Sequence, residues 1–215
     1  MIKVSKNIQI PKEAKFWISK NIEVIKRLIE KKHYESNQLG ILDTIILPEK
    51  LKIKRKYNEE EIQVTFKIAP EELFIAKRWV DKKGETFAGW ADAFTNEIFL
   101  NADKGITKSP RLISFLIIHE LVHILDPKLY REDLNIKPDA PYYEKPHEID
   151  ALLTEMSEMM RYKYSPEEIL DMLRFGKIEE NPKRHKAIDN LSPEALRRFK
   201  INLYHDVIMD MESSD

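Results

Sequence analysis

"FLIIHELVHILDP", residues 115–127, decides how this chain is read. It is an apolar run of the kind that fills a core, yet His119, Glu120 and His123 interrupt it. Burying such groups without partners costs on the order of a few kcal/mol each. Their spacing suggests a reason for the expense. His119 and His123 are four residues apart, so on a helix they project from one face. Two neutral imidazoles so placed can take two tetrahedral positions on Zn²⁺. Glu120 lies about 100° further round the helix. It is poorly placed to join the same coordination sphere but well placed to reach a water that the metal activates. This is the H-E-x-x-H arrangement, with the glutamate as general base. Glu120 would take the proton as the water attacks a carbonyl, then pass it to the leaving amine.

The flanks predict a helix around the motif. Ser109–Pro110 is a start signal, with serine at the cap and proline at the first helical position, and Pro127 is a stop. Upstream, residues 12–33 carry Phe16, Ile18, Ile22, Ile25 and Leu28 at helical spacing. Residues 43–56 read as extended. Ile62, Val64, Phe66 and Ile68 alternate with polar neighbours over 61–69, a half-buried strand. Residues 72–80, "ELFIAKRWV", read as a third strand, with a short helix as the alternative. Residues 85–94 and 96–102 form a hairpin turning at Thr95–Asn96. In its first strand Phe87, Gly89, Ala91 and Ala93 share a face that is mostly small, so another group can approach the backbone there. Downstream, helices are expected over 146–163, from Ser165–Pro166 to about Phe175 with Gly176 as C-cap, and from Ser192–Pro193 to about Met211. The order of elements is that of an α+β fold. The chain is expected to be one domain, 1–215: an N-terminal helix and sheet (1–107), the motif helix and the helix after it (108–163), and a C-terminal helical part (164–215).

Composition narrows the function classes. The 215 residues are 42% hydrophobic and 34% charged, enough for a core under a heavily charged surface. The net charge of -1 gives no global basic field for nucleic acid or anionic membrane. The basic run "KLKIKRKY" (50–57) therefore reads as a solvated strand face, as does the charged stretch 174–186. With no cysteine, disulfides, zinc ribbons, iron–sulfur ligation and thiol nucleophiles are excluded. The N-terminal residues show no secretion signal, and the apolar run Phe115–Leu121 is too short to span a bilayer. The expectation is a cytoplasmic protein without nucleic-acid or membrane partners.

"HELVH", preceded by a strand ending "IFLN", resembles the zincin metallopeptidases. Residues 85–163 carry the likeness. It implies a zincin-like fold, a bound Zn²⁺ and a protein or peptide substrate. It also implies that the strand before the motif helix, "NEIFLNA", is a sheet edge on which an extended peptide lies by β-augmentation. A catalytic zinc needs a third protein ligand and an open position. The metzincin extension is absent, since Asp126 stands at its glycine and Leu129 at its third histidine. The gluzincin branch draws the ligand from a glutamate on a later helix, and "YYEKPHEIDALLTEM" (142–156) supplies Glu148. Glu148 is followed by Asp150–Ala151, similar to the pattern in several gluzincin-like peptidases. Position 152 is leucine, where the thermolysin-type pattern has aspartate. His147, Glu144 and Glu155 are the rival ligands, and Asp126 and Asp150 are candidate partners of the ligand histidines.

Tyr143, or its neighbour Tyr142, could stabilise the oxyanion, although packing of the loop explains these rings as well. His147 could do the same if it is not a ligand. His185 and His205 are weaker candidates, the latter expected to face inward. Residues 128–143 could act as a lid. The resemblance thus implies a zinc metallopeptidase, gluzincin-like, with His119, His123 and Glu148 on the metal and Glu120 in catalysis, and Tyr143 is the catalytic candidate added from its place before the ligand helix. The alternatives are a zincin-like partner-binding protein, with zinc structural or absent, and a metal hydrolase acting on something other than peptides.

Overall fold

The computed structural model describes residues 9–55, 59–81, 83–104, 109–126, 146–178, 188–189 and 191–212. They fall into two compact units, one within Ile8–Glu132 and one within Asp133–Asp215. The class is α+β, with six helices and a small mixed sheet among the described residues.

The first unit begins with helix α1, Lys12–Leu39. Its buried positions, Ala14, Trp17, Ile18, Asn21, Ile25, Ile29, Lys32 and Ser36, recur every three or four residues and form one stripe. Gly40 ends the helix at φ 65, and the Gly40 and Ile41 amides donate to Ser36 and Glu35. That left-handed cap is cheap for glycine alone. Next come β1 (Ile45–Ile46), β2 (Leu51–Lys54) and β3 (Glu61–Ala69). The alternation expected of β3 holds: Ile62, Val64, Phe66 and Ile68 are all buried. Trp17 of α1 stacks on Phe66, centroids 4.4 Å apart. Each such side chain contributes about 1.5–3 kcal/mol by leaving water, so this face of the sheet anchors the unit.

Residues 72–80, expected as a strand, form instead the short helix α2, Glu71–Ala76. Pro70 stands at its N-cap, and Glu71 and Glu72 occupy the first turn, where acidic groups favour the helix dipole. Arg78 then takes φ 59. Of the expected strand only Val80 keeps an extended pairing, an isolated bridge to Thr86.

The hairpin is present as β4 (Gly89–Asp92) and β5 (Glu97–Asn101). Asn96 adopts φ 56 in the turn between them, a conformation asparagine tolerates better than most residues. The strand order is β1-β3-β5-β4, with β2 also paired to β3. Three pairings are antiparallel, but β3 and β5 run parallel, Phe66 opposite Ile98. The strand before the motif helix is therefore not an edge: β5 lies between β3 and β4, and β4 ends the order among the described residues. Phe87 also departs from expectation. It precedes β4, and its ring stacks on Trp90, which in turn stacks on Trp79. The motif helix, α3, spans Pro110–Leu125. Ser109 holds the cap position without a side-chain cap bond, and Pro110 opens the helix.

The second unit is helical: α4 (Pro146–Lys163), α5 (Pro166–Arg174) and α6 (Pro193–Glu212). All three begin at prolines, as expected. Ser165 and Glu168 form a full capping box on α5, and Ser192 Oγ accepts from the Ala195 amide at the start of α6. Leu152, Leu153, Met156, Met160, Phe199, Leu203 and Val207 belong to one core cluster. Within it the Ser157 hydroxyl donates to buried Asp206 at 2.8 Å. No helix among the described residues is long and apolar enough to cross a membrane.

Candidate metal centre

Helix α3 is apolar almost all round, and every residue from Phe115 to Leu125 is buried. A helix of this composition belongs in a core. His119, Glu120 and His123 are 8%, 6% and 7% exposed, as deep as their aliphatic neighbours. The two imidazoles follow one another by one turn, centroids 5.2 Å apart and planes at 75°. The same-face geometry expected from the spacing is therefore present.

Glu120 points at the hairpin. Helix α3 packs against β4, and the small face of β4 makes that possible. Gly89 is buried and Ala91 is 4% exposed. A Cβ built on Gly89 would lie 2.6 Å from Glu120 Oε1 and 2.9 Å from Leu116 Cδ1. Only glycine admits the carboxylate at this point. The close approach expected at this small face is made by Glu120 itself.

Glu148 and His147 lie in the first turn of α4, in the second unit. Both are largely covered, their side chains 16% and 11% exposed, and His147 Nε2 is 3.0 Å from Glu148 Oε1. A ring N–H donating to this oxygen would fix the carboxylate's orientation. The Asp150 carboxylate pairs with Arg198 of α6, which gives it a structural duty within its own unit. Asp126 caps α3, its amide donating to Val122 O. Glu155 is half-buried on α4. His205, expected to face inward, is exposed and lies against Tyr204, centroids 5.8 Å apart. Tyr142, Tyr143, Glu144, His185 and the stretch 128–143 lie outside the described residues.

One residue near α3 runs against expectation. The basic run 50–57 reads as a solvated face, yet Arg55 is 8% exposed. The signal was in the alternation. Leu51 and Ile53 are inward positions of β2, and position 55 continues their face.

Comparison with protein-family models, with curated proteins and with solved structures finds no match to this chain.

Proposed function

We propose that this protein is a zinc-dependent metallopeptidase of gluzincin-like type, with His119, His123 and Glu148 as metal ligands and Glu120 as general base. One observation carries the proposal: two imidazoles one turn apart and an adjacent carboxylate are buried in an otherwise apolar helix, with that carboxylate seated in a gap left by Gly89. A structural pair of histidines would need neither the carboxylate nor the gap. Two histidines and a glutamate, the residue types of the proposed set His119, His123 and Glu148, are typical of one class of catalytic zinc site.

When bound, zinc supplies Lewis acidity and lowers the pKa of a water. The chain's own residues divide the remaining work. His119 and His123 would hold the ion from one face of α3, with Glu148 as the third ligand. Glu120 holds and moves the proton at its carboxylate, and the Gly89 contact limits where that carboxylate can sit. Tyr143 is the proposed donor to the oxyanion. An extended peptide is the proposed substrate, because β4 ends the strand order among the described residues, beside α3, where a peptide strand could pair. The cysteine-free composition suits a reducing, cytoplasmic setting.

The test is proteolysis by the zinc-loaded full chain on unfolded polypeptides, beside Glu120→Gln. Cleavage by the wild type that is lost in the variant supports the proposal. A metal-loaded chain that cleaves no polypeptide contradicts it.

A further inference from the structure

We infer that Arg55 is a positioning residue for the metal helix: its buried guanidinium ties the last turn of α3, just after His123, to the hairpin that carries Gly89. The inference rests on the metal site proposed above.

The contacts converge from three segments. Arg55 Nε donates to the Ile124 carbonyl at 3.2 Å. Nη2 donates to Asn96 Oδ1 at 2.6 Å and to the Ala93 carbonyl at 3.4 Å, both in the β4–β5 turn. Nη1 meets Glu60 Oε2 at 3.0 Å. The Arg55 amide also donates to the Glu60 carbonyl at 2.8 Å, which fixes the root of the side chain.

Each contact has a consequence for the helix. The Ile124 carbonyl is among the last four of α3, which have no partner within the helix. A cation there also opposes the negative end of the helix dipole. The planar fork sends its N–H groups in fixed directions, so one side chain sets the end of α3 against the hairpin. Ile124 directly follows His123. One turn earlier, Glu120 meets Gly89 on the other end of the same hairpin. A slip of the helix would shift the histidines and misplace the carboxylate together. Lysine cannot reproduce this, because an ammonium lacks the fork that spans carbonyl and amide at once.

The test uses the full chain and Co²⁺ as probe, comparing wild type with Arg55→Lys and Asn96→Gly. Glycine suits position 96, where φ is 56, so the second variant removes one anchor without straining the turn. Circular dichroism verifies folding. In folded Arg55→Lys we expect Co²⁺ affinity to fall about 10- to 100-fold, the range for losing a group that orients a ligand, and the ligand-field bands to move. Asn96→Gly should change both in the same direction and by less. If Arg55→Lys does not fold, Asn96→Gly decides alone. Wild-type affinity and spectrum in the folded variants overturn the inference and leave Arg55 as a brace of the fold. A wild-type chain that binds no Co²⁺ overturns the metal site itself, and this inference with it.

Discussion

Gly89 and Glu120 fit together as gap and occupant: the point where Gly89 would carry a Cβ is 2.6 Å from Glu120 Oε1. No L side chain can stand at position 89 while the carboxylate stays where it is. Position 89 therefore separates the placing of the carboxylate from the holding of a metal, since the two histidines do not depend on it for their spacing.

Gly89→Ala should bind zinc like the wild type and lose turnover. The methyl group meets the far ends of two flexible side chains, Glu120 and Leu116, and both must give way; overpacking of this kind costs about 1–3 kcal/mol. A displacement near 1 Å at a reacting group can lower the rate by roughly 10²-fold. Zinc titration, thermal melting and peptide-cleavage rates on one preparation check this. Unchanged turnover would mean that the Gly89 contact does not position the base.

Glu120→Gln should retain metal and lose about 10²–10⁴-fold in rate, the usual contribution of a general base. The amide is nearly isosteric with the carboxylate, so the packing of the buried side chain is kept and thermal stability should change little. A large loss of stability would show that Glu120 serves the fold instead.

Removing the metal should loosen the protein measurably. A ligand present at 100 times its Kd contributes about 2.7 kcal/mol. For a chain of this length that is a Tm shift of roughly 5–10 °C. Melting curves with and without chelator read it directly. His119→Ala should show no chelator-dependent shift.

Away from the site, Lys32 is the test of the first unit's polar core. Its side chain is fully buried, and Nζ donates to the Ile41 carbonyl at 2.9 Å, with Glu35 Oε2 at 3.6 Å. Lys32→Met keeps the volume and takes the donor from the residue that follows the Gly40 cap. We expect a loss of about 0.5–1.5 kcal/mol, the net contribution of one hydrogen bond whose acceptor, on exposed Ile41, can turn to water, with no effect on zinc binding. Denaturant unfolding beside zinc titration separates the two.

Much of this architecture was legible locally. Prolines 110, 146, 166 and 193 mark helix starts because a missing N–H costs nothing in the first turn. The small face of β4 announced a close approach, and Glu120 makes it. What failed was non-local. Nothing near Glu97–Asn101 says that β5 pairs in parallel with β3, so the edge fell to the wrong strand of the hairpin. The misread helix α2 did carry a local sign. Pro70–Glu71–Glu72 has the same logic as Pro166–Glu167–Glu168 at α5, but the apolar residues after it suggested a strand. Arg55 was hidden by composition, since a basic run reads as solvated until the inward face of β2 is continued to position 55. The same-face placement of His119 and His123 needed only the helical period. The proposed third ligand, Glu148, lies on a separate segment, which spacing alone could nominate but not place.

The most direct measurement is the metal content of purified wild type, His119→Ala and Glu148→Ala by elemental analysis, with zinc affinity by titration. We expect about one zinc per chain in the wild type, in keeping with a single three-ligand site. We also expect it to be absent from His119→Ala and absent or greatly weakened in Glu148→Ala. A wild-type chain that holds no zinc at micromolar metal would contradict the proposed centre outright.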